Sequence, residues 1–90
     1  MKGTFLFVVD RGFVIVGKAE VSTELAFHWK LTPGRTVRRW GTKGKGLAGL
    51  VKGPFEETTL DVPATRHIPF RAVLEIIEVE ADKWEKHLST

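Results

Sequence analysis

The sequence predicts a mainly β fold of the β-rich α+β kind, a small barrel or strongly bent antiparallel sheet with one short C-terminal helix. Three observations predict it. Two runs rich in β-branched and aromatic residues, 5–9 (FLFVV) and 13–16 (FVIV), are parted by Asp10-Arg11-Gly12. Two further extended segments, 25–31 (LAFHWKL) and 35–40 (RTVRRW), flank the punctuation Thr32-Pro33-Gly34. From Ala81 the pattern changes to Ala and Leu interspersed with Lys83, Glu85 and Lys86, which suits a terminal helix.

Taken in order, the first two runs form a hairpin. Glycine stands last in their three-residue connector, where a type I turn followed by a bulge needs positive φ. Both faces of these strands are apolar, so one meets the core and the other meets a second layer or a second subunit, and self-association is expected. Residues 21–23 read as a polar connection. Segments 25–31 and 35–40 read as a second hairpin turning at Thr32-Pro33-Gly34. Three glycines within 41–46 exclude a strand or helix interior there and make a loop. Residues 47–51 suit one helical turn, stopped by Gly53-Pro54, and 58–62 a short strand. Pro63 and Pro69 bracket 64–68 as an edge strand or an extended connection, because proline donates no ladder hydrogen bond. Segment 71–80 (RAVLEIIEVE) fits both a helical stripe and a strand; its β-branched content and the preceding proline decide for strand.

Ninety residues correspond to one domain, 1–90, since domains commonly run to roughly 100 residues. With 42% apolar and 28% charged residues, 3 Trp and 6 Phe, the composition is that of a folded chain. The absence of cysteine excludes disulfides, thiolate nucleophiles and Cys-based zinc sites, and points to a reducing compartment. No apolar run approaches the roughly 18 residues of a membrane span, and the start shows no signal-cleavage pattern. The expected location is cytoplasmic, with no membrane partner.

Charge is divided unevenly. Residues 1–55 carry ten Lys or Arg against Asp10, Glu20 and Glu24, whereas 56–90 carry four against eight acids. No acid lies between Leu25 and Phe55 while Lys30, Arg35, Arg38, Arg39, Lys43, Lys45 and Lys52 do. An anionic partner suits that stretch, the alternative being neutralisation by the acidic C-terminal part.

Catalytic groups are sparse. His28, His67 and His87 have no metal-ligand spacing, and Ser22 and Ser89 lack both a nucleophile-elbow context and a neighbouring base. Glu56, Glu57, Glu75, Glu78 and Glu80 read as solvated carboxylates. The sequence therefore reads as a non-enzymatic protein with no metal or cofactor. The segment Arg38-Arg39-Trp40-Gly41-Thr42-Lys43-Gly44-Lys45-Gly46-Leu47 has another character. It joins guanidinium forks suited to phosphate, an indole able to stack on a base, a hydroxyl, and glycines whose amides can approach an anion. It does not match a P-loop. Against this, Trp40 suits a core anchor, and Arg38 and Arg39 point to opposite faces of a strand. Thr65, Arg66 and His67 are second candidates for completing the site.

The residues Asp10-Arg11-Gly12-Phe13-Val14, then R-R-W-G-T (38–42) with G-L-x-x-L (46–50), Gly53-Pro54, Thr59-Leu60-Asp61 and a late P-x-x-A-V-x-x-I (69–76) resemble a family of small uncharacterised phage and prophage proteins. The resemblance implies viral origin and hence the host cytoplasm. Lys43-Gly44-Lys45 makes the loop more basic than the family pattern. Together these readings lead to an expected function: a phage protein that binds and sequesters a small phosphorylated nucleotide, a cyclic-dinucleotide sponge against host immune signalling, assembled as a homo-oligomer. The alternatives are a barrel for single-stranded nucleic acid and a phage structural or assembly component.

Overall fold

A computed structural model describes residues 2–41 and 46–89. The fold starts from the expected hairpin. Strands β1 (Lys2–Val9) and β2 (Val14–Val21) pair antiparallel from Lys2↔Glu20 to Val8↔Val14. Their turn is closed by the Val9 amide donating to the Phe13 carbonyl at 2.9 Å. Gly12 takes the positive φ (79°) expected of it, and Arg11 before it does as well (66°).

The second hairpin is not formed. Thr32-Pro33-Gly34 lies inside one strand, β3 (His28–Arg39), instead of turning the chain. β3 pairs with β2 on both sides of the proline, Leu31↔Ala19 and Gly34↔Gly17, and the register slips between them. Proline, which cannot donate to a ladder, is thus accommodated at an irregularity. Gly17 is required opposite it, since a methyl there would collide with the Pro33 carbonyl.

Residues 59–69 run along the other edge of β3 as two pieces, β4 (Thr59–Leu60) and β5 (Ala64–Pro69). Between them the Asp61 amide still donates to the Thr36 carbonyl at 2.9 Å. The last strand, β6 (Val73–Glu78), pairs antiparallel with β1. The six-stranded sheet has the order β4-β3-β2-β1-β6, with β5 beside β3, and it is not closed. Yet β5 and β6, at opposite edges, are joined through a 3-10 turn of three residues, Phe70–Ala72. So short a link demands a strongly curled sheet, which resolves the expected barrel or bent sheet in favour of the latter.

Each face of the sheet has its own core. Phe5, Phe7, Val9, Ile15, Ala19, Leu31 and Ile68 pack on one face, with Trp29 and Val73 against them. Leu6, Val14, Val16 and Val37 pack on the other, where the 3-10 turn Leu47–Lys52 and helix α1 (Ala81–Leu88) cover them with Leu50, Trp84 and Leu88. The second layer called for by the two-faced hairpin is therefore part of the same chain, and the sequence argument for self-association loses its premise. The fully buried Trp84 donates its indole N–H to the Leu50 carbonyl at 2.7 Å, fastening helix to turn. No described helix is long and apolar enough to cross a membrane.

Trp84→Phe keeps most of the ring volume and removes the indole donor, while the Leu50 carbonyl keeps its bond from the Gly53 amide at 3.0 Å; the loss is about 0.5–1.5 kcal/mol. Leu88→Ala, which opens a void in the same layer, costs about 2–5 kcal/mol. Urea unfolding should show both as lower midpoints with little change in slope; a Trp84→Phe midpoint equal to wild type would show that the helix is not held by this bond.

Candidate functional site

Alternation along β3 sorts its arginines. Arg35 is buried beneath the helix layer, donating Nε to the Asp61 carbonyl at 2.6 Å and a terminal N–H to the His87 carbonyl at 2.7 Å. Thr36 and Arg38, two residues apart, share the opposite face. Arg38 Nε donates to both carboxylate oxygens of Asp61, at 2.8 and 2.9 Å. Arg66, brought alongside by β5, donates to Thr36 Oγ1 at 3.1 Å.

These groups form one wall of a cleft of about 370 Å³, whose apolar wall is Val9, Ile15 and Phe13. Phe13 is 55% exposed. Two guanidiniums thus face the cleft with one carboxylate, leaving it net positive. The Arg38 hydrogen bond holds the Asp61 carboxyl below the usual aspartate range, assisted by the charges of Arg38, Arg66 and Arg35 and opposed by partial desolvation. The same bond raises Arg38 above the usual arginine value. Guanidinium forks, a hydroxyl and an aromatic face can hold an oxyanion attached to a flat apolar group.

The residues singled out in the sequence are only partly brought together. Arg38 and Arg66 meet in the cleft. Arg38, Arg39, Trp40 and Gly41 line a separate, shallower depression of about 250 Å³. Trp40 is half-buried, packed against the Leu50–Trp84 layer on one side and bordering this depression on the other, and Thr58 Oγ1 donates to its carbonyl at 3.0 Å. Leu47 packs into that layer too, while Gly46 is exposed. Thr42, Lys43 and Lys45 lie outside the described residues. Thr65 is exposed and does not line the cleft. Thr36, Asp61 and Phe13 were missed. The spacing of Thr36 and Arg38 at two residues was the available signal for one of them; nothing local marks Asp61, which reaches Arg38 across a ladder.

Among the described residues no three His, Asp or Glu converge as a metal set would. Comparison of the chain with family models, curated proteins and solved structures finds no match. The functional reading consequently rests on the chemistry of the cleft.

Because the folded Asp61 value is depressed, its contribution to stability is present above the ordinary aspartate value, about 3.9, and is lost as pH falls through the folded value. Between about pH 5 and pH 2.5 the urea midpoint should fall more steeply in wild type than in Arg38→Gln. Parallel pH profiles would show that the ion pair does not stabilise the fold.

Proposed function

We propose that this chain is a non-enzymatic receptor that sequesters a small phosphorylated nucleotide, seating a phosphate between Arg38 and Arg66 and the base against Phe13. The observation that carries this reading is the excess of guanidinium over carboxylate in one cleft beside an exposed ring. At about 370 Å³ the cleft is at the small end of the 300–1,000 Å³ usual for ligand pockets, which suits one nucleotide unit. A cyclic dinucleotide, with two such units, would then be shared by clefts of two copies, and this is the role we assign to a homo-oligomer. Asp61 acts as a placeholder: it orients Arg38 in the empty cleft and yields it to a more highly charged oxyanion. The resemblance to small phage proteins supports a stoichiometric role, in which the protein removes a host signal from the cytoplasm by binding it.

A thermal-shift series with mononucleotides, linear and cyclic dinucleotides and short single strands tests the proposal. A ligand at 100 times its Kd adds about 2.7 kcal/mol of stability, and each kcal/mol corresponds to roughly 4–8 °C in a domain of this size. Cyclic dinucleotides should give the largest shift. Arg66→Ala should weaken binding at least tenfold, Arg66→Lys should restore it only in part because the fork is lost, and Thr65→Ala should change nothing. A shift from single strands alone would favour the nucleic-acid alternative, and no shift from any nucleotide would favour an assembly role.

A further inference from the structure

The connection between β2 and β3 presents an aromatic ring in an unfavourable backbone conformation. Phe27 has φ of 62° and is 77% exposed. Bulky side chains resist this left-handed region, which glycine occupies freely. The conformation is imposed by surrounding bonds. Ser22 donates its amide to the His28 carbonyl at 2.9 Å, its hydroxyl accepts from the amides of Glu24 and Leu25, and the Phe70 amide donates to the Phe27 carbonyl at 2.8 Å. A strained residue whose ring points largely into water contributes little to the fold, and such strain gathers where ligands bind.

The ring borders a cleft of about 600 Å³, with Phe70, Pro69, His28 and Arg71 around it. Phe70 lies 6.5 Å from Phe27 and 5.7 Å from Trp29, and Trp29 lies 5.6 Å from Phe7, so the aromatic wall is rooted in the core. His28 Nδ1 donates to the Ala26 carbonyl at 2.8 Å, which leaves Nε2 for a ligand. Arg71 is exposed and has no ion-pair partner among the described residues. The lining thus offers ring faces and a guanidinium, with no carboxylate.

We infer that this cleft is a second binding site, taking a flat heterocycle that carries a phosphate: a nucleotide unit, either free or within a single strand. The ring stacks on the exposed face of Phe27, which stands at 81° to Phe70 and so offers one platform with the Phe70 ring beside it, and the phosphate meets Arg71. It is a separate site from the Arg38–Arg66 cleft, because the two share no lining residue, although Arg66 and Phe70 stand only four residues apart, about 13 Å of extended chain.

Isothermal calorimetry with AMP, adenosine, inorganic phosphate and dT12 tests this, on wild type, Phe27→Gly, Arg71→Gln and Arg66→Ala, with the site located by amide chemical-shift changes. AMP should perturb residues 26–28 and 69–71. Phe27→Gly should lose at least tenfold in affinity while its Tm stays level or rises, since glycine relieves the backbone. Arg71→Gln should weaken AMP and leave adenosine unaffected, and Arg66→Ala should leave both unaffected at this site even if the other cleft is disabled. Tighter dT12 binding with log affinity falling by about 0.7 per contacted phosphate per decade of salt identifies the strand as the source; AMP binding as tightly as dT12 identifies the free nucleotide. The inference is overturned if none of the probes perturbs this cleft, if Phe27→Gly binds as wild type does, or if Phe27→Gly lowers Tm by several degrees and so shows the ring to be structural.

Discussion

A hairpin apolar on both sides cannot be stable until both sides are covered, and the rest of the molecule follows from that requirement. Phe5, Phe7 and Ile15 are covered by the curl of the sheet itself, which brings Leu31 and Ile68 over them. Leu6, Val14 and Val16 need a separate lid, and the 3-10 turn and terminal helix supply it. The lid is fixed by directional bonds as well as by area: Trp84 to the Leu50 carbonyl, and Arg35 to the His87 carbonyl. A buried guanidinium is costly unless its donors find acceptors. Arg35 spends its donors on carbonyls of the edge segment and of the helix end, and so ties together three parts of the chain remote in sequence.

That arrangement also decides which charges remain at the surface. Of the arginines on β3, one is consumed by structure, and alternation sends its neighbours to different faces. Arg38 and Arg66 are left beside a carboxylate that only partly compensates them. Lys30 is matched by Glu24 at 2.7 Å. Among its described residues the acid-free stretch is therefore neither one uniform basic surface nor wholly neutralised by the acidic half; folding divides them into paired, buried and cleft-facing cations.

What could be read from the sequence was what is decided locally. The glycine closing the first turn, the change of pattern at Ala81, the short turn after Gly46 and the edge position of 64–68 all depend on nearby residues, and the structure has them. Thr32-Pro33-Gly34 has strong turn chemistry, yet β2 pairs with β3 on both sides of it and keeps the strand going; that outcome depends on a partner strand that turn propensity does not see. The site was legible to the same extent. Alternation separates Arg38 from Arg39, but the meeting of Arg38, Asp61 and Arg66 depends on the register of 59–69 against β3. Trp40 shows the converse: sequence allows an indole beside arginines to be a stacking platform or a core anchor, and the fold leaves it half-buried, packed against the Leu50–Trp84 layer while still lining the depression beside Arg38 and Arg39.

An unclosed sheet has two rims along which strands of other molecules could add, and both rims here are defended. On one, the break at Asp61-Val62-Pro63 interrupts the row of free amides, and Pro63 has none to give. On the other, β6 carries Glu75 and Glu78, both exposed, so that a copy docking there would bring like charges together. Edge prolines and charges are how natural sheets avoid runaway polymerisation. Strand-by-strand growth from either rim is thereby made costly, without any second chain being needed to cap it.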